Sequence, residues 1–480
     1  MFDVRDFGAK GDGNALDHGA VNRAIDEATR EGGTVRLPAG RYLCFSIRMK
    51  SNVTLRLDAG AVIEAADPAM HAGSYDLPEP SEHDVYQDFG HSHWQNSLIW
   101  GDGLENVTIF GPGMIHGVGL TRHGPGPRWL KAGSHPNSMA GMPRADMRTL
   151  EPARTRMNGQ ANKAIAFRNC RRVRLDGFTV LKGGHFAILA TGVDGLRIED
   201  LRIDTDRDGI DVDACRNVTI ADCKVNSPND DAIVLKASLA LGEARATENV
   251  TISGCTVSGF DMGTMLDGTH GRTQELSPDR DRVTGRIKLG TESNGSFRNI
   301  AITDCSFERC RGLALETVDG GVLENVTVSD LTMREVTTAP LFLRVGDRRR
   351  GPEGTGLGAI RRVSISNVTA TGIDPRYAAS IVGLPDSPIE AVSLSNIRLS
   401  YAGGGTAEDA ARTVPDARDS YPEPSMFGTL PAHGLYIRDA RRLRIDGLTI
   451  ETEKPDARPA LIVERGEDIS FTRSPQVTRR

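Results

Sequence analysis

A four-residue phrase, asparagine followed by alternating β-branched residues, returns along this chain at intervals that constrain its fold more than any other feature. It reads Asn52-Val53-Thr54-Leu55, Asn106-Val107-Thr108-Ile109, Asn217-Val218-Thr219-Ile220, Asn249-Val250-Thr251-Ile252, Asn299-Ile300-Ala301-Ile302 and Asn325-Val326-Thr327-Val328. Degenerate copies begin at Val173, Leu196, Val363, Val392 and Leu443. The shortest intervals, from 173 to 196, 196 to 218 and 300 to 326, hold two or three short strands and no crossover helix. A unit this short cannot bury its own apolar face and must stack on its neighbours. The pattern predicts an all-β, right-handed parallel β-helix, with residues 1–480 as one domain. Four stretches break the period, at about 66–97, 112–160, 267–284 and 402–432. They are expected to be loops inserted between coils and gathered on one face as binding walls.

The cysteines keep the same period. Cys223, Cys255 and Cys305 share one slot in three successive copies, where other copies carry Phe178, Leu201, Leu331 or Val368. That slot reads as an inward core position holding small apolar thiols. No Cys-x-x-Cys spacing points to a metal or redox site, and seven scattered cysteines fit a reducing compartment. Ala20, Val21, Ala24, Ile25 and Ala28 recur at helical spacing before Gly32-Gly33. They predict an N-terminal helix that caps the open end of the first coil. A net charge of −6 recruits neither nucleic acid nor an anionic membrane, and no apolar run reaches 18 residues. The opening Met1-Phe2-Asp3-Val4 has no signal-peptide hydrophobic region, so a cytoplasmic location is expected unless a leader has been removed.

The chemistry concentrates where two segments align by their apolar residues. Matching Ile210 to Ile233 and Val212 to Leu235 sets Asp208 beside Asp231, with Asp230 one residue upstream. On neighbouring parallel strands the two backbones lie about 4.8 Å apart. Three carboxylates then crowd one sheet edge, which raises at least one pKa and is costly unless the site uses it. His91-Ser92-His93 suggests a metal site at first sight, but no third ligand has suitable spacing, and no metal or other cofactor is expected.

Together with the coil repeat and the opening Asp6-Phe7-Gly8-Ala9-Lys10-Gly11-Asp12-Gly13, this carboxylate pattern resembles glycoside hydrolase family 28, the polygalacturonase-like enzymes, across roughly residues 2–450. The resemblance implies a pectin-lyase-like β-helix that hydrolyses pectic polysaccharides with inversion. It is divergent in its motifs. The family's Asn-Thr-Asp stands here as Asp206-Arg207-Asp208, while the paired aspartates are intact at Asp230-Asp231. The Gly-His-Gly motif falls at Thr284-Gly285-Arg286 without its histidine, and Arg-Ile-Lys falls at Ala314-Leu315-Glu316 without its basic residues. The aspartates carry the family's chemistry, and the lost basic pair grips a galacturonate carboxylate. A glutamate at 316 would repel a uronate there. Arg207, Lys236, Arg286 and Lys288 are expected to rebuild a grip on anion or hydroxyl, with Arg286 and Lys288 projecting outward between Ile287 and Leu289. His270 is the expected substitute for the missing histidine.

Inverting hydrolysis pairs a protonated carboxyl with a carboxylate that activates water. By resemblance Asp230 is the acid, and Asp208 and Asp231 hold the water. Asp211 is expected to bind sugar hydroxyls, and Asp213 to be solvated strand decoration. The expected partner is a pectic oligosaccharide, galacturonan or rhamnogalacturonan in origin, cut from chain ends. Two other classes remain open at this stage. A calcium-dependent lyase would bind a cation in the aspartate cluster, and a non-catalytic carbohydrate-binding β-helix would release no product.

Overall fold

In the computed structural model, residues 1–81, 83, 86–87, 89–122, 157–279 and 281–480 are described. His123, Trp129 and His135 of the second insertion lie outside them. Among the described residues thirty-four strands join one continuous parallel sheet, wound coil upon coil. The chain is a parallel β-helix.

The recurring asparagine has a mechanical cause. It stands at a corner where the backbone turns left-handed, with φ of 56° at Asn217, 57° at Asn249, 55° at Asn299 and 56° at Asn325. Asparagine enters that region more readily than other residues with a Cβ. The degenerate copies hold Arg172, Gly195, Arg362, Ala391 and Arg442 at the same corner, all at positive φ. Asparagine also ties successive coils together. The Asn249 side-chain amide donates to Asn217 Oδ1 at 3.2 Å, Asn299 to Asn249 at 3.2 Å and Asn325 to Asn299 at 3.1 Å. Beyond the corner Val218, Val250, Ile300 and Val326 stack in register inside the core.

Cys223, Cys255 and Cys305 are buried in that core, and all seven cysteines are free. The hydrogen bond to Cys223, with burial, pushes the Cys255 thiol up to about 12. These are inert apolar side chains. The capping helix α1 (His18–Thr29) buries Ala20, Val21, Ala24, Ile25 and Ala28 against the first coil.

One column of strands matters for function: β1 (Phe186–Thr191), β2 (Asp208–Asp213), β3 (Ile233–Ala237), β4 (Ile287–Ser293), β5 (Leu313–Thr317) and β6 (Leu341–Val345). Each pairs in parallel with the next. Their inner residues, such as Ile210, Val212, Ile233, Leu235, Ile287 and Leu289, fill the core. Their outer residues face away from the core, yet they do not meet solvent. Asp211 and Asp213 are both 0% exposed. Asp213 is therefore not solvated decoration: it accepts from Ser238 N at 2.8 Å and from the Ser238 hydroxyl, and burial pushes its carboxyl up to about 6. Arg286 and Lys288 do lie on the outer face, yet each is 1% exposed. The reason is that two inserted loops roof this face.

Candidate active site

The β2–β3 ladder has the register read from the sequence, Ile210 opposite Ile233 and Val212 opposite Leu235. It places Asp208 against Asp231, whose N–H donates to Asp208 Oδ1 at 3.2 Å. Gly209 makes the approach possible, because a Cβ there would lie 2.4 Å from the Ala232 carbonyl oxygen. One oxygen from each of Asp208, Asp230 and Asp231 lies within 4.8 Å of the others. The triad is unequal in access: the side chain of Asp230 is 26% exposed, those of Asp208 and Asp231 only 4% and 6%.

Each carboxylate has its own cation. The Arg207 guanidinium donates twice to Asp230 Oδ2, at 3.1 and 2.7 Å. Lys236 Nζ lies 3.3 Å from Asp208 and 2.7 Å from Asp211. Arg286 Nε donates to Asp231 Oδ1 at 2.8 Å. The electrostatics separate the first two aspartates. Burial, with Asp230 alongside, pushes Asp208 well above the usual carboxylate range. Burial pushes Asp230 the same way, but Arg207 and Lys236 outweigh it and hold Asp230 below that range. A group of carboxyls this close titrates as a unit and keeps one proton near neutrality.

The first roof comes from the 66–97 insertion. Trp94 anchors it in a pocket with Phe186, Leu189 and Ala240, its indole N–H donating to Thr191 Oγ1 at 2.9 Å. The same segment sets His91 edge-to-face with the Phe186 ring, with Nε2 in contact with Lys236 Nζ and 3.3 Å from Asp211. The second roof is the 402–432 insertion. Glu423 accepts from Arg286, at 3.0 Å through Nη1, and lies 3.0 Å from Arg311. Tyr421, 54% exposed, sets its ring over Lys288 and accepts hydrogen bonds from Thr291 at 2.9 Å and Lys288 at 3.4 Å.

Of the residues singled out from sequence, nine converge on this face: Asp208, Asp230, Asp231, Arg207, Asp211, Lys236, Arg286, Lys288 and Glu316. Arg286 and Lys288 meet internal carboxylates rather than an open groove. Lys288 Nζ stands 3.5 Å from Glu316, 3.6 Å from Asp231 and 4.0 Å from Glu423. Asp211 is likewise closed off by Lys236 and His91. Burial pushes the Glu316 carboxyl up to about 7 despite Lys288 and Arg286. His270 takes no part in these ion pairs. It is exposed and stacks on Phe260 at 4.7 Å, beside a cavity of about 270 Å³ lined by Arg202, Lys224 and Glu308.

Sequence reasoning missed His185, Glu292 and Glu423 altogether, and passed over His91 and Tyr421. His185 precedes β1 at the level of Arg207, which precedes β2, as the pairing of Phe186 with Asp208 requires. Its Nδ1 is buried and has no hydrogen-bond partner among the described residues. Burial and Arg207 hold the ring well below its usual pKa, so it is neutral at pH 7. Its signal was available, since the coil register aligns it with Arg207. Glu423 and Tyr421 carried none, because an irregular insertion has no period.

The cluster does not suit calcium. His91, Asp208 and Asp211 also lie within ligand distance of one another, but the Lys236 ammonium already stands among them. Arg207 and Arg286 add positive charge beside the triad, which repels a second cation.

Fold and site together define a parallel β-helix with a roofed, carboxylate-centred site, and the chain resembles known proteins in both sequence and fold. Residues 1–109 match the family described as rhamnogalacturonase A/epimerase, pectate lyase-like. A probable polygalacturonase of Vitis vinifera is 24% identical over 469 residues, covering 93% of this chain and 84% of its own length. The family 28 exopolygalacturonase of Yersinia enterocolitica superposes with a TM-score of 0.68 at 18% identity, over 99% of this chain and 79% of its own. The hyperthermoactive exopolygalacturonase of Thermotoga maritima does so with a TM-score of 0.61 at 19% identity, over 94% and 91%. The chain is polygalacturonase-like in sequence along most of its length and in fold.

Proposed function

We propose that this protein is an inverting glycoside hydrolase that releases sugars from the ends of pectin-derived oligosaccharides, galacturonan or rhamnogalacturonan in origin. One observation carries hydrolysis: three carboxylates from adjacent coils have oxygens within 4.8 Å of one another, and Asp230 is the most open of them. That spacing is shorter than the roughly 6.5–9.5 Å usual between the carboxyls of inverting enzymes, so inversion rests on the family resemblance alone. Asp230 then faces the leaving oxygen as the acid. Asp208 and Asp231, deeper and held by Lys236 and Arg286, orient and deprotonate the water on the opposite side of the sugar. In the free protein burial favours the protonated form of Asp208, while Arg207 and Lys236 favour an ionised Asp230. Delivery to the leaving group therefore requires the Arg207 guanidinium to release Asp230 as substrate enters. Chain-end action is supported by the 66–97 roof over β1–β3 and by the exopolygalacturonases among the similar structures.

The test is product analysis on oligogalacturonides and rhamnogalacturonan fragments, with EDTA present, for the wild type and Asp230→Asn. Saturated single sugars, formed with inversion and lost in the variant, are the expected outcome. Unsaturated products, or activity abolished by chelation, would instead establish a lyase.

A further inference from the structure

The charges around the cleft are arranged as if no anion were to enter it. Two lysines line the outer face of the strand column, and each is already surrounded by three carboxylates within 4.0 Å. Lys236 faces Asp208, Asp211 and Glu292, and Lys288 faces Asp231, Glu316 and Glu423. Arg286 and Arg311 add two positive charges, but both bind Glu423, and Arg286 also binds Asp231. Arg348 and Arg350 also stand 3.6 and 3.9 Å from Glu292, so each of these cations is already engaged by a carboxylate of the protein. The more exposed guanidinium, Arg207, lies on Asp230. Lys288 is further closed from above by Tyr421 and from beneath by Glu316.

A carboxylate entering this cleft would be the fourth at a lysine that already has three, and desolvated like charges repel strongly. Burial already disfavours the ionised form of Glu316, pushing its carboxyl up to about 7. A hydroxymethyl or methyl group at the same point of a sugar ring brings no charge. It can also rest on the exposed ring of Tyr421, since apolar sugar faces pack on aromatic ones.

We infer that the sugar seated beside Lys288, Glu316 and Tyr421 is uncharged, a neutral hexose or 6-deoxyhexose and not a uronate. For the bond that is cut, this rests on the hydrolase reading. For binding, it stands alone.

Binding therefore provides the test. Ligand-observed NMR on the wild-type protein would compare methyl α-D-galactopyranosiduronate with methyl α-D-galactopyranoside, which differ only at C6, and with methyl α-L-rhamnopyranoside. At least one neutral glycoside is expected to bind tenfold or more tightly than the uronide. Glu316→Gln, which leaves Lys288 with one carboxylate fewer, is expected to shift the preference severalfold toward the uronide, read as the ratio of uronide to neutral-sugar affinity. Uronide binding equal to or tighter than that of both neutral sugars would overturn the inference, as would binding of none of the three. Selective binding of a neutral sugar with no product from any oligosaccharide would leave it standing and remove the hydrolase reading.

Discussion

The solenoid presents two outer faces built on the same plan and used in opposite ways. On the sheet that carries the asparagine phrase, outward residues such as Arg174 and Thr251 meet solvent, and their ion pairs are open. On the β1–β6 column the outward residues are as charged, yet Asp211, Asp213, Arg286 and Lys288 are as buried as the apolar residues behind them. Charges on a solvated face need no explanation. Charges under a roof cost several kcal/mol each unless partners match them. That difference locates the site before any resemblance is invoked.

The largest effect expected on the roofed face is chemical. Asp230→Asn removes the open carboxyl of the triad and is expected to lower turnover roughly 10²–10⁴-fold, the usual contribution of a positioned proton donor. Thermal melting should change little, since this side chain is the exposed member of the three. Turnover within a few-fold of wild type would move the proton-transfer role to Asp208.

Stability gives the sharpest contrast between the faces. Arg286→Ala leaves Asp231 without its guanidinium and Glu423 with Arg311 alone in a buried setting, and is expected to destabilise by about 3–5 kcal/mol. Arg174→Ala, on the open face with Asp176, is expected to change stability by less than about 1 kcal/mol. Denaturant titration of the two variants measures the difference directly. Equal costs would mean that the roof does not exclude water from Arg286.

These contrasts also explain which parts of the molecule the sequence disclosed. The coil, the core slots and the Asp208/Asp231 register repeat, and a repeating pattern can be aligned by eye. The asparagine phrase was legible because its φ is imposed once per coil by the corner. The capping helix was legible from its own period. What covers the column was not, because residues 66–97 and 402–432 follow no period and touch the site through single side chains. Nothing around Glu423 in the sequence indicates that it reaches Arg286, 137 positions away in the chain. So Arg286 and Lys288 read as an open grip when they are in fact engaged, and Asp213 read as solvated when it lies under Ser238.

A pH effect separates the faces next. The folded pKa of Glu316 is about 7, raised from an ordinary carboxyl value near 4.5. The fold therefore keeps a proton that the unfolded chain has already released. This contribution is full below about pH 4.5 and is lost as pH rises through about 7, on the order of 3 kcal/mol in all. Wild-type melting temperature should fall between pH 5 and pH 8, and Glu316→Gln should flatten that fall. An unchanged slope would show that Glu316 does not titrate in this window.

The smallest expected effect belongs to the open face and tests whether its repeat is structural only. Asn249 sits mid-ladder, receiving from Asn299 and donating to Asn217, at a φ of 57°. Asn249→Ala removes two exposed side-chain hydrogen bonds and puts a less tolerant residue in the left-handed region, which together cost about 1–2 kcal/mol. Asn249→Gly relieves the backbone strain and keeps only the lost bonds, so it should be the milder change if the corner governs. If glycine and alanine cost the same, the amide ladder stabilises the corner more than the backbone preference does. In neither case should turnover change, because the corner lies on a different column of strands from the triad. A loss of activity without a loss of stability would show that the two faces are coupled.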